Sequence, residues 1–452
     1  MVRPRVLIAA PASGSGKTMI TCGILRALVR RGIKVSSFKC GPDYIDPMFH
    51  EKVIGTTSGN LDLFFAKAPL MRRLFCQNSE NTDFSVIEGV MGYYDGMGAS
   101  TDEASSFRVA EALDAPVVLI VNARGQSISA LATLSGFMNF RENSRIRAVI
   151  FNQMSEHVFN SLKDEVSKLG VIPLGFVPKS DDLVIESRHL GLVTPGEIEG
   201  LTDRLDSLAQ LLEKTVDIDG LIALGKSAEK LTPGDIVLPK PCEEVVIAAA
   251  KDEAFCFYYK DNLDLLQRLG AKIVYFSPIH DKALPEGTEG LLLPGGYPEL
   301  YAESLAGNTE MRKAVFDAVT GDMPCLAECG GVMYLHREIE DMNGKFWPMA
   351  GVLNAKAYRT NRLGRFGYIT LTGEKDSDVI KKGDTVCGHE FHYFESESCG
   401  EDMTAVKPIT GKSWRCVHAE GGLLAGFPHL FYYSNPDLAV RFLRACAGKE
   451  KS

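Results

Sequence analysis

The segment ASGSGKT (Ala12–Thr18) has the residue types and spacing of a phosphate-binding P-loop. It follows an apolar stretch typical of a strand and leads into the helical pattern MITCGILRALVRRG. Backbone N–H groups at a helix N-terminus bind phosphates, the lysine reaches the terminal phosphate oxygens, and a threonine hydroxyl can bind Mg²⁺. Pro11 stands where the first glycine of the motif is usual. The predicted ATP-binding residues of this loop are Gly14, Ser15, Gly16, Lys17 and Thr18.

Acidic residues follow later strands of the same half. The second predicted strand ends in FKCGPDYID and the third in VIEGVMGYYDG. Because strand carboxyl ends converge on the ligand crevice of a doubly wound sheet, these side chains should face the phosphates. The candidates for carboxylate activation are Lys39, Asp43, Glu88 and Asp95. Thr18, Asp43 and Glu88 are the predicted Mg²⁺ ligands, and Asn152, at a later strand end, could bind the adenine edge. Acids that cap loops, and a surface lysine at 39, are the alternatives.

Cys329 lies in the segment CLAECGGVMYL, where a short apolar strand runs through Cys-Gly-Gly into a helical pattern. A nucleophile on such a turn is expected to be exposed, and the helix N-terminus lowers the pKa of a thiol. Gly330 permits the tight turn, and with Gly296 it is a candidate oxyanion donor. His429 is the candidate base for the thiol. A buried structural cysteine is the alternative, and it suits Cys325 better than Cys329.

The composition is that of a soluble globular protein. The chain has 452 residues, 45% apolar and 24% charged, with a formal net charge of −9. An acidic balance favours neither nucleic acid nor an anionic membrane surface. The eleven cysteines lack metal-ligand spacing, and no signal peptide or long apolar run is evident. We therefore expect a reduced, cytoplasmic protein without membrane partners.

Two α/β halves are predicted from the alternation of apolar runs with helical patterns. We assign an ATP-binding and carboxylate-activating domain to residues 1–229, a linker to 230–244 and a second α/β domain to 245–452. The first half should be a doubly wound, mostly parallel sheet. The second half should add antiparallel strands near 368–371.

Several motifs together resemble the cobyrinate a,c-diamide synthase family of corrinoid biosynthesis, across nearly the whole chain. The matching segments are SGSGKT, FKCGPDYID, NLDLFF, VIEGVMGYYDG, ESRHLGL, LPGGYPE, AECGGVMYL, GHEFHYF and GFPHLFYYSNP. The resemblance implies an N-terminal domain similar to P-loop NTPases, especially dethiobiotin synthetase. It also implies a C-terminal class I glutamine amidotransferase domain.

The same resemblance implies a reaction. Cys329 would release ammonia from L-glutamine, while ATP with Mg²⁺ converts the a and c carboxylates of cobyrinate to acyl phosphates that ammonia amidates. The family's activating acids correspond to Asp43, Glu88 and Asp95. One departure concerns the base, because many class I glutaminases have Glu two residues after the histidine, where Phe431 stands here. A Cys–His pair with a different or absent third member is therefore expected.

Alternatives stay open at this point. Hydrogenobyrinate and nickel-sirohydrochlorin carry similar carboxylate arms, so the tetrapyrrole is not specified by the motifs. Cobyric acid synthase is a related but less similar family, and a homodimer is one option for the assembly. Two other classes are a regulatory P-loop ATPase with an inactive glutaminase-like tail and an ATP-dependent carboxylase similar to dethiobiotin synthetase. Ammonia release from glutamine would separate these classes.

Overall fold

The computed structural model describes residues 3–179 and 200–448. The chain forms two compact units, Met1–Ile236 and Val237–Ser452, called here the N-terminal and C-terminal units. Residues 229–244 contain no helix or strand, and the boundary between the units falls within them. The motif ESRHLGL, at 186–192, lies outside the described residues. Among the described helices, none combines the length and apolarity needed to cross a bilayer.

The N-terminal unit is built on a seven-stranded, wholly parallel sheet. Its strands are β1 (Arg5–Ala9), β2 (Val35–Cys40), β3 (Thr57–Leu61), β4 (Phe84–Glu88), β5 (Val117–Asn122), β6 (Ile146–Asn152) and β7 (Ile172–Val177). They lie in the order β3-β2-β4-β1-β5-β6-β7. The central strands are rich in Val and Ile and buried along their length, as expected for a sheet covered on both faces. The predicted doubly wound parallel sheet is confirmed.

Helices cover this sheet and supply its core. They are α1 (Lys17–Arg30), α2 (Ile45–Phe49), α3 (Ala68–Asn78), α4 (Ser106–Ala112), α5 (Ser129–Asn139), α6 (Glu156–Lys168), α7 (Leu201–Thr215) and α8 (Ile218–Lys226). A π-helical turn at His50–Ile54 continues α2. Apolar residues of α1 and α7 pack into one cluster with strand residues such as Val6 and Ile120. This packing fixes the position of the P-loop that precedes α1.

One strand was missed by the sequence analysis, which counts the strand ending at Glu88 as the third. The structure places β3 before it, so that strand is the fourth. The sequence of β3 is TSGNL, which is short and polar. Its residues lie at the edge of the sheet beside β2, where burial on both faces is not required. Apolar periodicity therefore gave no signal for it.

The C-terminal unit combines a mostly parallel sheet with antiparallel sheets. Its strands are β8 (Val245–Ala250), β9 (Phe255–Phe257), β10 (Ala271–Phe276), β11 (Gly290–Leu293), β12 (Gly295–Gly296), β13 (Cys325–Glu328), β14 (His336–Glu340), β15 (Phe346–Pro348), β16 (Leu353–Arg359), β17 (Phe366–Gly373), β18 (Thr385–Phe391), β19 (Phe394–Ser396), β20 (Met403–Val406), β21 (Ser413–Cys416), β22 (His418–Glu420), β23 (Leu423–Gly426) and β24 (His429–Leu430). Its helices are α9 (Lys260–Arg268), α10 (Ala302–Gly307), α11 (Thr309–Thr320), α12 (Gly330–Leu335) and α13 (Pro436–Cys446).

The six-stranded sheet of this unit has the order β10-β8-β11-β13-β23-β22, and only β22 runs antiparallel to its neighbour. A five-stranded antiparallel sheet has the order β21-β20-β17-β18-β24. The antiparallel strands predicted near 368–371 are therefore observed in β17. Strand β13 leads into the turn of Cys329, and β24 carries His429, so the two sheets deliver the two predicted catalytic residues.

Candidate active sites

The P-loop ends at the start of α1. Gly14 and Gly16 have φ angles of 78° and 89°, a conformation that glycine adopts without strain. The amide of Asn152 donates a hydrogen bond of 2.9 Å to the carbonyl oxygen of Ser15. A Cβ atom on Gly16 would lie 2.2 Å from the Asn152 Nδ2 atom. Asn152 thus supports the loop backbone, and its contact with adenine remains a prediction.

Two P-loop side chains point toward the end of β4. Lys17 is 8% exposed, and its ammonium group donates a hydrogen bond of 3.0 Å to the carbonyl oxygen of Met91. Burial lowers the pKa of Lys17, and the neighbouring Lys39 ammonium lowers it further. The hydroxyl of Thr18 donates a 2.6 Å hydrogen bond to Glu88 Oε1. The predicted residues Lys17, Thr18, Lys39 and Glu88 therefore lie in one electrostatic environment.

Lys39 is not on the surface but is held between two carboxylates. Its Nζ atom lies 2.7 Å from Glu88 Oε1 and 2.5 Å from Asp46 Oδ2. Burial opposes the charge of Lys39, but Asp46 and Glu88 outweigh it and hold the pKa of this ammonium well above its usual value. The sequence analysis missed Asp46, although it lies in the quoted GPDYID segment at the start of α2. Asp46 and Glu88 thus hold the Lys39 ammonium group in a fixed position at the end of β2.

The other two predicted acids bind backbone N–H groups. Asp43 Oδ1 accepts hydrogen bonds from the N–H groups of Ile45, at 2.7 Å, and Asp46, at 3.4 Å. Burial and the Asp46 carboxylate raise the pKa of Asp43 to about 6. Asp95 is exposed, and its Oδ2 atom accepts a 2.9 Å hydrogen bond from the N–H of Gly92. Both acids thus have the loop-capping contacts that were the alternative interpretation, and their catalytic roles remain predictions.

Glu88, at the carboxyl end of β4, and Thr18 could supply some of the ligands of a Mg²⁺ ion. Glu88 is fully buried, and its Oε2 atom has no hydrogen-bond partner among the described residues. His50, also missed by the sequence analysis, lies 3.6 Å from this oxygen. Within residues 3–179 and 200–448, no cluster of three or more His, Cys, Asp or Glu side chains could hold a metal alone. Mg²⁺ usually takes few protein ligands and completes its shell with water and phosphate oxygens. Thr18 and Glu88 fit that role.

The Cys329 turn in the C-terminal unit is strained and buried. Cys329 has φ 47° and ψ −107°, a conformation that costs free energy for a residue other than glycine. Its N–H donates a 2.8 Å hydrogen bond to the carbonyl oxygen of Gly426, in the adjacent strand. The prediction of an exposed thiol with a lowered pKa is wrong, because Cys329 is 7% exposed and burial raises its pKa well above the usual value. The nearby Glu299 carboxylate adds to this effect.

The predicted base lies beside the turn of Cys329. His429 Nδ1 is 3.9 Å from Oε2 of Glu328, the residue before Cys329. The other oxygen of Glu328 accepts a 3.1 Å hydrogen bond from the Tyr432 hydroxyl. Burial lowers the pKa of His429 to about 3 and raises that of Glu328 to about 8. Glu328, the residue before Cys329, is thus the acid that the fold brings near His429, and its role as the third member of the site is a prediction.

Glycines allow the segments around Cys329 to approach closely. A Cβ atom on Gly295 would lie 2.4 Å from Cε1 of His429, so the imidazole occupies the space that a side chain would fill. A Cβ atom on Gly330 would lie 3.0 Å from the backbone N of Gly296. The two predicted oxyanion donors therefore lie next to each other. This arrangement can bind a tetrahedral oxyanion formed by attack of the thiolate.

Two family models match the chain, one in each half. Residues 6–192 match the family described as CobQ/CobB/MinD/ParA nucleotide binding domain. Residues 246–435 match the CobB/CobQ-like glutamine amidotransferase domain. The predicted fold class, with a nucleotide-binding half followed by a glutaminase-like half, is confirmed.

Similarity to two curated relatives extends over 98% of the chain. The chain is 38% identical over 446 residues to the cobyrinate a,c-diamide synthase of Caldanaerobacter subterraneus subsp. tengcongensis, covering 98% of each chain. It is 38% identical over 449 residues to the enzyme of the same name from Listeria innocua, covering 98% of this chain and 99% of that one. A solved structure of PurLQS from Thermotoga maritima matches at 15% identity and a TM-score of 0.34, covering 46% of this chain and 100% of that one. The chain belongs to the cobyrinate a,c-diamide synthase family of glutamine-hydrolysing ligases.

Proposed function

We propose that this protein uses ATP and glutamine to amidate the a and c carboxylates of cobyrinate through acyl-phosphate intermediates. The name of the relatives supports this substrate, since the similarity covers 98% of the chain. The observation that carries the proposal is the pairing of two sites in one chain. One has a P-loop beside a buried Lys39–Glu88 pair, and the other has Cys329 beside His429 and Glu328.

The glutaminase step follows from the C-terminal site. The thiolate of Cys329 attacks the side-chain amide carbon of glutamine, and the N–H groups of Gly296 and Gly330 bind the resulting oxyanion. His429 accepts the thiol proton and returns it to the leaving nitrogen, which departs as ammonia. Water then hydrolyses the thioester to glutamate and regenerates the thiol. Because burial disfavours the thiolate, deprotonation should occur as the oxyanion forms rather than before substrate binds.

The activation step uses the N-terminal site. The γ-phosphoryl group of ATP passes to a ring carboxylate, giving an acyl phosphate and ADP, and ammonia then displaces phosphate to leave the amide. Lys17 would bind the terminal phosphate oxygens. Lys39, held by Asp46 and Glu88, can orient the acceptor carboxylate. Mg²⁺, held by Thr18 and Glu88, would offset phosphate charge when bound. Positioning and charge stabilisation supply most of the catalysis in such transfers.

Mass spectrometry of tetrapyrroles incubated with the purified protein, ATP and glutamine tests this function. Cobyrinate, hydrogenobyrinate and nickel-sirohydrochlorin are offered separately. We expect two successive amidations of cobyrinate, with stoichiometric ADP and glutamate. Preferred amidation of another tetrapyrrole would reassign the substrate. ATP hydrolysis without ammonia release or amidation would point instead to a regulatory ATPase.

A further inference from the structure

A buried carboxylate without hydrogen bonds lies in the GHEFHYF motif of β18, which the proposed chemistry does not use. Glu390 is fully buried, and neither of its carboxylate oxygens has a hydrogen-bond partner among the described residues. Burying a carboxyl group without partners carries a large free-energy cost. We therefore asked whether a bound ligand supplies the hydrogen bonds that the Glu390 carboxylate lacks.

His392 presents a second acceptor to the same space. Its Nδ1 atom lies 2.5 Å from the carbonyl oxygen of Phe394, to which it donates. The Nε2 atom of the neutral ring is therefore an acceptor. It lies 4.0 Å from Glu390 Oε1 and has no hydrogen-bond partner within the described part of the chain. One donor group of a ligand can satisfy both of these acceptors.

Arg365 places a hydrogen-bond donor near Glu390. The Nη1 atom of Arg365 is buried, lies 4.0 Å from Glu390 Oε1 and makes no hydrogen bond to any described residue. The residue opposite Glu390 in the adjacent strand is Gly367, and the Lys407 ammonium lies 3.3 Å from where a Cβ atom of Gly367 would be. Burial lowers the pKa of the Lys407 ammonium, and the nearby Glu390 carboxylate offsets part of this effect. The cluster thus brings together acceptors and a donor that lie at ion-pair distance from one another but make no hydrogen bonds.

This cluster adjoins the glutaminase residues. The His392 ring stacks on Phe427 with ring centroids 4.5 Å apart. Phe427 follows Gly426, whose carbonyl oxygen accepts the hydrogen bond from the N–H of Cys329. His389, the residue before Glu390 in β18, lies directly opposite His429 in β24. Glu390 is also among the groups that raise the pKa of the Cys329 thiol.

We propose that Glu390, His392 and Arg365 bind the α-amino-acid head group of glutamine. The α-ammonium group donates to Glu390 and His392, and the α-carboxylate accepts from Arg365. A zwitterion supplies hydrogen bonds to all three groups, whereas ammonia or a ring carboxylate supplies them to only some of the three. The inference rests on the proposed glutaminase role of Cys329. These residues would select free glutamine over amides that lack its head group.

The test compares glutamine with glutaramate, which has the same amide and carboxylate but no α-ammonium group. For the wild type, we expect the loss of this group to reduce kcat/KM roughly 10- to 100-fold. In Glu390→Gln, kcat/KM for glutamine should fall by a similar factor, mainly through KM, while glutaramate is hydrolysed nearly as before. Glu420→Gln, a change at an exposed acid of the same unit, is the matched control.

Arg365→Gln provides a second arm, with 4-aminobutanamide, which lacks the α-carboxylate, as its probe. Here discrimination between glutamine and this amide should shrink. Equal loss of activity on every substrate, or unchanged glutamine kinetics in both variants, would overturn the proposal. Glutamine hydrolysis that is absent from the wild type, or that persists in Cys329→Ala, would instead overturn the glutaminase assignment itself.

Discussion

The Nδ1 atom of His429 lies 3.9 Å from the Oε2 atom of Glu328, the residue that immediately precedes Cys329. This spacing is longer than a hydrogen bond. Apo geometries of catalytic groups are often loose and tighten when substrate binds. We therefore propose that Glu328 orients His429, in place of the acid that is usual two residues after the histidine, where Phe431 stands here.

Glu328→Gln should lower kcat for glutamine hydrolysis roughly 10- to 100-fold with little change in KM, because His429 loses its orienting acid but the glutamine site is intact. Ammonia-dependent amidation should be unaffected. Steady-state glutaminase and amidation assays measure both effects, with Glu401→Gln as an exposed control. A rise in KM alone, or equal loss of both activities, would contradict an orienting role.

The same residue should affect stability as a function of pH. Burial raises the pKa of Glu328 from 4.5 to about 8, so the folded state retains a proton that the unfolded state has released between these values. The wild type should therefore lose stability relative to Glu328→Gln as pH rises from 4.5 to about 8, by up to about 1.4 kcal/mol per pH unit. Unfolding of both full-length proteins across this range measures the difference. A difference that is constant, or that grows in favour of the wild type, is inconsistent with a buried neutral acid.

Gly295→Ala should selectively damage the glutaminase. A Cβ atom there would lie 2.4 Å from the His429 ring and would push it away from Glu328. We expect glutamine-dependent amidation to fall roughly 100-fold or more, as for loss of a catalytic base. Gly307→Ala, where no atom lies within 4 Å of the new Cβ, is the matched control. Normal glutamine turnover in Gly295→Ala would show that the position of His429 is not critical.

The buried acid of the N-terminal site should matter to both nitrogen sources. Glu88→Gln removes the partner of Lys39 and Thr18, so amidation should fall roughly 100-fold or more whether glutamine or ammonia is supplied. Glutamine hydrolysis at Cys329 should persist. Glu80→Gln, at an exposed position in the same unit, controls for charge. Near-normal ammonia-dependent turnover in folded Glu88→Gln would leave this acid a structural role only.

The sequence predicted the parts of the molecule that local pattern determines. The P-loop before α1 and the Cys-Gly-Gly turn before α12 both follow from short motifs. Asp46 and Glu328 were missed because their importance depends on side chains distant in sequence, Lys39 and His429 respectively. The burial of Cys329 was also not predictable, since the motif describes the turn but not the segments packed over it.

Amidation by Cys329→Ala with either nitrogen source tests the central claim most directly, because it separates the two chemistries in one protein. With cobyrinate, ATP and glutamine, no diamide should form, since no thioester can release ammonia. With glutamine replaced by a high concentration of ammonium salt, the diamide should form at the wild-type rate. Amidation from glutamine by Cys329→Ala, or loss of ammonia-dependent amidation in the folded variant, would contradict the account.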